Sequence, residues 1–323
     1  MDNTRHLFVI NPVAGRGNAA KTLPPAIRTA AERRGVSAQI VQTEYPGHAA
    51  ALAREILQNG ASGPWRVYAC GGDGTLREVV EGLAGEPQVE IGVIPCGTGN
   101  DFVSTFGAGA LFGDVAAMMA GEAVPVDLMA VETESPEGER REYRAVNICS
   151  AGLDARVAGD MRKFHAFLRL GAQLPYNLSV VYNLLRGIHQ PYLVSIDGRP
   201  FDDRYTLVTA CNGQYYGGGF HPMPRARPDD GLLDFLLIRR VSRLRAASLV
   251  KTFASGEFEK LGELALYLRG TSMDILCERP EPVNMDGEII LTRRVRFSLA
   301  RERVRLILPA SLQKQAEGAP PFA

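Results

Sequence analysis

Three short stretches of the first hundred residues carry the residue types that hold an anion. They are "NPVAGRGNAA" (Asn11–Ala20), "GGDGT" (Gly71–Thr75) and "PCGTGND" (Pro95–Asp101). Glycine lets backbone N–H groups approach an oxyanion, and a helix starting just beyond adds a favourable dipole. Each hydrogen bond to a charged acceptor contributes about 1.5–3 kcal/mol, so several together hold a nucleotide's phosphates. Asp73, alone among three glycines, is out of place in such a loop unless a cation lies between it and the phosphates.

The elements that must position these loops are legible. Apolar runs at His6–Ile10, Ala38–Gln42, Arg66–Cys70 and Glu90–Ile94 read as strands, separated by helical patterns over Asn18–Arg34, Gly47–Gln58 and Thr75–Leu83. In the last of these, Leu76, Val79, Val80 and Leu83 follow helical spacing, and Thr75 and Glu78 form a T-x-x-E capping-box pattern. Repeated β-α units imply a parallel sheet with helices on its faces, whose ligands gather at the carboxyl ends of the strands. Past Pro125 short strands dominate, and turn signals such as "SPEGE", "DGRP" and "PDDG" separate many of them. An antiparallel β-rich second domain is expected there, interrupted by helices near Arg156–Leu170 and Arg243–Phe253. The expected division is residues 1–126 and 127–308, with a tail of about 309–323 that packs back on the first domain. The terminal "EGAPPFA" is expected to be disordered.

Composition narrows the function. Lys+Arg and Asp+Glu both number 36, so the net charge is zero and a general nucleic-acid binder is disfavoured. The 5 cysteines are scattered without a C-x-x-C pair, which suits a reducing, cytoplasmic setting and no disulfide framework. The first apolar run is too short for a signal peptide, and no stretch is long enough to cross a membrane. A Walker A loop is absent, because Lys21 and Thr22 follow Ala20 rather than a glycine. A Rossmann reading is closer, with Gly15-x-Gly17-x-x-Ala20 after the first strand and Glu44 at the end of the second. It leaves the other two loops unexplained.

Taken in order, "NPVAG", GGDGT and "GTGNDF" resemble the diacylglycerol kinase catalytic domain family, which includes soluble bacterial lipid kinases and the sphingosine and ceramide kinases. NAD kinases and phosphofructokinases share GGDGT more distantly. The resemblance continues through "VNICSAGLDARV" (Val146–Val157), "PDDGLLD" (Pro228–Asp234) and "NMDGE" (Asn284–Glu288), covering nearly the whole chain. It implies a three-layer α/β nucleotide-binding domain of the NAD kinase and phosphofructokinase type, followed by an antiparallel β-sandwich-like domain. It also implies ATP and Mg²⁺ as cofactors.

By the same resemblance, Asn11, Pro12, Ala14, Gly15, Thr43, Gly71, Gly72, Asp73, Gly74, Thr75, Glu78, Gly97, Thr98, Asn100 and Asp101 fall at ATP-binding positions. Ala14 stands where the family commonly has serine, which removes one hydroxyl contact. Arg227, Asp230 and Leu232 match a Mg²⁺ site, the first and last through backbone carbonyls. Glu288 matches the proton acceptor, with Asp286 beside it and Asp73 near the phosphates and metal. Phosphoryl transfer to an alcohol needs these parts: positioning, a cation against the β,γ-oxygens, and a carboxylate that accepts the proton as the bond forms.

The implied activity is transfer of the γ-phosphate to a lipid hydroxyl at a membrane surface, with diacylglycerol as the leading acceptor. Phosphatidylglycerol, sphingoid bases and other lipid alcohols remain open. So do an NAD(P)-binding oxidoreductase using Glu44 and a non-catalytic lipid- or nucleotide-binding protein. Peripheral membrane association is expected, and homodimerisation stays open. On a helical wheel, Arg156–Leu170 places Val157, Met161, Phe164 and Leu168 on one face, opposite Arg162, Lys163 and Arg169. Such a helix could lie on an anionic membrane or pack its stripe into a core. The cluster Arg239, Arg240, Arg243, Arg245 and Lys251 could meet lipid headgroups or be a solvated surface.

Overall fold

The computed structural model describes residues 4–59, 63–107, 109–135, 137–170 and 174–315. In chain order its first elements are β1 (Arg5–Ile10), α1 (Ala19–Arg34), β2 (Ala38–Gln42), α2 (His48–Asn59), β3 (Trp65–Gly71), α3 (Asp73–Leu83), β4 (Val89–Pro95), α4 (Asp101–Ser104), α5 (Val115–Met119) and β5 (Glu122–Val126). There follow β6 (Met129–Glu134), β7 (Arg140–Ala145), β8 (Ile148–Gly152), α6 (Leu153–Asp160), α7 (Leu174–Arg186), β9 (Gln190–Ile196), β10 (Arg199–Pro200), β11 (Asp203–Cys211), β12 (Leu233–Arg239) and α8 (Arg243–Ala254). The chain closes with β13 (Ala265–Gly270), β14 (Ser272–Met285), β15 (Glu288–Leu299), β16 (Val304–Leu308) and α9 (Ala310–Gln315).

The chain divides into two compact units. The first runs to Leu128 and includes Gly217–Gly219 and the chain from Ala300 onward; the second holds Met129–Tyr216 and Phe220–Leu299. The first unit is built on a sheet of order β2-β1-β3-β4-β16-β5. β2, β1, β3 and β4 are mutually parallel, and β16 runs parallel to β4 but antiparallel to β5. Leu7, Phe8, Val9 and Ile10 are all fully buried, as a strand covered on both faces requires. In α3 the helically spaced Leu76, Val79, Val80 and Leu83 are buried. β16 completes this sheet, so the chain's return to the first unit begins upstream of residues 309–323. The tail "EGAPPFA" lies outside the described residues.

Every strand pairing of the second unit is antiparallel. Its ten strands follow the path β10-β9-β11-β8-β14-β15-β6-β7, with β12 and β13 attached at β11 and a further β9–β14 pairing. That pairing closes β9, β11, β8 and β14 into a ring. Tyr192, Val194, Val208, Ile275 and Val283 of these strands, with Phe235 of β12 and Phe297 of β15, belong to one buried cluster.

Two local expectations change. The helix expected over Arg156–Leu170 is α-helical only to Asp160 and continues as 3-10 turns over Met161–Leu170. Gly159, a poor helix former, lies two residues before the change. Helix α7, whose pattern is not distinctive in sequence, is an addition. Among the described residues no helix is long and apolar enough to cross a membrane.

Candidate functional site

The three glycine loops meet at the carboxyl ends of β1, β3 and β4. Backbone bonds stitch the strand ends together: Asn11 N donates to Cys70 O, Thr43 N to Ile10 O, and Cys96 N to Gly71 O. The glycines then permit contacts that a side chain would block. A Cβ on Gly97 would stand 2.5 Å from the Gly72 Cα, and one on Gly15 would stand 3.3 Å from the Cys96 carbonyl oxygen. Gly15 also has φ +60°. Gly71 abuts the Thr75 side chain, where an added Cβ would lie 2.2 Å from its hydroxyl. These glycines are therefore needed for loop-to-loop packing whatever they bind. Their convergence builds one surface of backbone amides from three separate pieces of sequence.

Polar side chains lock that surface. Asn11 Nδ2 donates to Thr75 Oγ1 at 3.3 Å, and Asn11 Oδ1 accepts from Val13 N at 3.2 Å. Pro12 lies two residues past β1, and Ala14 is buried where a short 3-10 turn begins. Thr43 and Thr75 are buried, whereas Gly74 and Thr98 are exposed. Asn100, at φ +56°, clasps Gly97 by accepting from its N–H at 3.0 Å and donating to its carbonyl at 2.9 Å. The amides of Asp73 and Gly74, in the first turn of α3, precede any helix carbonyl that could accept them.

Asp73 has a definite task. Its Oδ2 accepts from Asp101 N at 3.0 Å and its Oδ1 from Phe102 N at 3.1 Å, so it holds the start of α4. Asp101 in turn accepts from Gly218 N and Gly219 N, both at 2.8 Å. Burial raises the pKa of Asp101, the Gly218 amide opposes that rise, and the negative charge of Asp73 adds to it. The two acids thus form a chain of carboxylate–amide bonds from the GGDGT loop through Asp101 to Gly218 and Gly219. Sequence reasoning missed Gly218 and Gly219, and the run "YYGGGF" was the available signal.

Glu78 departs from its expected cap. Helix α3 is capped at Gly72 without a side-chain bond. Glu78 instead reaches across to accept from Gly47 N at 2.8 Å and Ala49 N at 3.1 Å, satisfying the start of α2. The helix begins at Asp73 with Gly72 as its N-cap, so Thr75 already lies inside it and Glu78 sits on the second turn, past the position from which a side chain caps its own helix.

The late acids lie in the second unit. Asp286 and Gly287 form the two-residue turn between β14 and β15, with φ +48° and +90°. Positive φ at both central residues is the geometry Asp-Gly favours. The Asp286 carboxylate accepts three amides: Val146 N at 2.7 Å, Asn147 N at 3.2 Å and Ile148 N at 3.1 Å. Glu288, the first residue of β15, is exposed. The pair separates into an anchored acid and an accessible one.

The residues expected to hold Mg²⁺ are arranged around a guanidinium. Asp230 Oδ1 accepts from Leu232 N at 3.1 Å, and Arg269 Nη2 donates to Asp230 Oδ2. Arg269 Nε also lies 3.3 Å from Asp234 Oδ1, and Arg227 Nε lies 3.4 Å from Asp229 Oδ1. Among the described residues no group of three or more His, Cys, Asp or Glu is placed to hold a metal. Arg269 thus takes the second oxygen of Asp230 here, while the carbonyls of Arg227 and Leu232 are the other groups expected to hold the ion.

Comparison with known proteins decides the family. Residues 5–131 match the diacylglycerol kinase catalytic domain, and residues 147–308 match the YegS C-terminal NAD kinase beta sandwich-like domain. The chain belongs to the diacylglycerol kinase family. It is accordingly a lipid kinase, a phosphotransferase with an alcohol acceptor, and the oxidoreductase reading falls. A protein of Stenotrophomonas maltophilia (strain K279a) named "Probable lipid kinase YegS-like" is 28% identical over 286 residues, 86% of this chain and 88% of the relative. One of the same name from Shewanella frigidimarina (strain NCIMB 400) is 26% identical over 266 residues, 80% of this chain and 81% of the relative. A diacylglycerol kinase crystal structure from Bacillus anthracis str. Sterne superposes with a TM-score of 0.65 at 21% identity, covering 95% of this chain and 98% of that one. Yeast NADH kinase complexed with NADH shares the fold at a TM-score of 0.50 and 10% identity, over 97% of this chain and 86% of that one.

Proposed function

We propose that this lipid kinase transfers the γ-phosphate of ATP, taken as its magnesium complex, to the free hydroxyl of diacylglycerol, giving phosphatidic acid. The observation that carries the donor side is the meeting of Asn11–Gly15, Gly71–Thr75 and Pro95–Asp101 at one sheet edge. The amides of α3's first turn and the glycine loops face the phosphates, while Asp73 keeps the third loop in register through Asp101 and Phe102. Magnesium, when bound, would offset charge on the transferring phosphate, and Asp230 with the carbonyls of Arg227 and Leu232 would be the residues to hold an ion in the second unit. Glu288, accessible at the head of β15, accepts the hydroxyl proton as the new P–O bond forms. Asp286 acts through the turn that presents Glu288. The acceptor's apolar chains imply work at a membrane surface, with the protein visiting it from the cytoplasmic side.

The test is transfer of labelled γ-phosphate to a panel of lipids in mixed micelles. Diacylglycerol is expected to be labelled first and phosphatidylglycerol weakly. Preferred labelling of phosphatidylglycerol or a sphingoid base reassigns the acceptor and leaves the donor site standing. A wild-type rate in Glu288→Gln removes that residue as base.

A further inference from the structure

Away from the glycine loops, the second unit holds a pocket of about 340 Å³ lined by Gly187, Ile188, His189, Arg240, Val241, Ser242 and Arg243. Its floor is apolar, since Ile188 and Val241 are 1% and 5% exposed and belong to one buried cluster with Ala246. Its walls are cationic, and no carboxylate lines it. Arg240 makes no ion pair among the described residues. Arg243 spends one N–H on the Leu185 carbonyl at 2.9 Å and keeps the rest of its guanidinium.

A second and independent feature is beneath the same turn. Arg156, only 9% exposed, donates from Nη1 to the Gly187 carbonyl at 2.9 Å. Its Nε and Nη2 are buried with no hydrogen-bond partner, and the Nδ1 of His189 is likewise buried and unpartnered. A buried guanidinium with open donors is costly unless something accepts from it. Glu281, on β14, acts on Arg156 electrostatically without a hydrogen bond between them.

The groups facing His189 are all of one sign. Burial lowers its pKa first, and then Arg240 just past β12, Arg204 on β11, Arg156 on α6 and Arg243 on α8 lower it further. Ser242 adds the start of a 12-residue helix, its hydroxyl accepting from Arg245 N at 3.3 Å. A helix start, a half-buried imidazole and the two guanidiniums of Arg240 and Arg243 line one small cavity, with Arg156 bonded to its Gly187 carbonyl, and this set is complementary to a compact polyanion.

We propose that this pocket binds a phosphate group, held by Arg240, Arg243 and the start of α8 over Arg156 and His189, as a site separate from the nucleotide loops. Two sources carry that chemistry: the headgroup of an anionic phospholipid, or free phosphate. Neither depends on which lipid is the acceptor, so this site stands apart from the kinase reading.

The experiment uses the full chain and the double variant Arg240→Gln/Arg243→Gln. Both side chains are exposed, so folding is checked by an unchanged melting temperature. Inorganic phosphate is titrated while the His189 ring is followed by NMR, with a non-hydrolysable ATP analogue present to fill the nucleotide loops. The expected result is a raised His189 midpoint on adding phosphate, and an affinity about tenfold or more weaker in the variant. Cosedimentation with phosphatidylcholine vesicles, with and without phosphatidic acid, separates the sources. Binding that needs phosphatidic acid and falls in the variant assigns the headgroup, while phosphate binding without it assigns the free anion. An unmoved His189 midpoint, together with vesicle binding equal in wild type and variant, overturns the site.

Discussion

Substituting Asp286 separates anchorage from catalysis at the late acidic motif. Its carboxylate accepts from the Val146, Asn147 and Ile148 amides at 2.7, 3.2 and 3.1 Å. A hydrogen bond to a charged acceptor contributes about 1.5–3 kcal/mol, and three bonds to one carboxylate are not additive. Water also reaches a half-buried turn, so Asp286→Ala is expected to cost about 3–5 kcal/mol, including about 1 kcal/mol for the positive φ that alanine resists. Asp286→Asn keeps one oxygen and tolerates the backbone, but turns an NH₂ towards the third amide. Its expected cost is about 1.5–3 kcal/mol. Because the chain has two units, a global melt is a blunt readout. Amide hydrogen exchange at Val146, Asn147 and Ile148 reads the site directly. A 3 kcal/mol loss accelerates exchange from the opened state about a hundredfold. Glu288→Gln, at an exposed position, is expected to leave that exchange within about 0.5 kcal/mol of wild type and to reduce phosphoryl transfer by about 10²–10⁴-fold. Unchanged exchange in Asp286→Asn alongside abolished transfer would refute the division of roles.

The glycine contacts and a buried acid give three further predictions. Gly97→Ala puts a Cβ 2.5 Å from the Gly72 Cα, so it should cost about 1–3 kcal/mol in a melt and weaken ATP binding by calorimetry. Gly74→Ala, with no atom within 4 Å of the added carbon, should leave stability equal or higher. Burial raises the pKa of Asp154, against the opposing hydrogen bond from Ser150. The folded state therefore holds this proton more tightly, and the stability it contributes is present at acid pH and lost as pH rises through the folded pKa. Asp154→Asn should flatten that fall in denaturation series from pH 4 to 8; an identical slope in both proteins would contradict it.

The periodicity of the first hundred residues was sufficient to place the parallel strands and the helices between them. Local hydrophobic spacing reports which face of an element is buried, and that information needs no partner. The ordered motifs likewise placed GGDGT at a strand's carboxyl end and named the family. The roles of individual acids were not local properties. Glu78 looked like the cap of its own helix, because a capping box is read within four residues, yet it caps α2. Asp73 looked like a carboxylate waiting for a metal, and its bonds go to amides 28 and 29 residues away. Glu288 was matched to the proton acceptor only by resemblance, with Asp286 beside it, until a hairpin turned Asp286 into three amides and left Glu288 exposed. Asp230 met a guanidinium from β13 that no spacing rule connects to it. The sequence by itself determined which segments are strands and helices, and which loops could hold phosphate. Only the tertiary structure decided what each charge faces, because electrostatic partners are chosen by distance in space and a charge carries no periodicity that reveals its partner in advance.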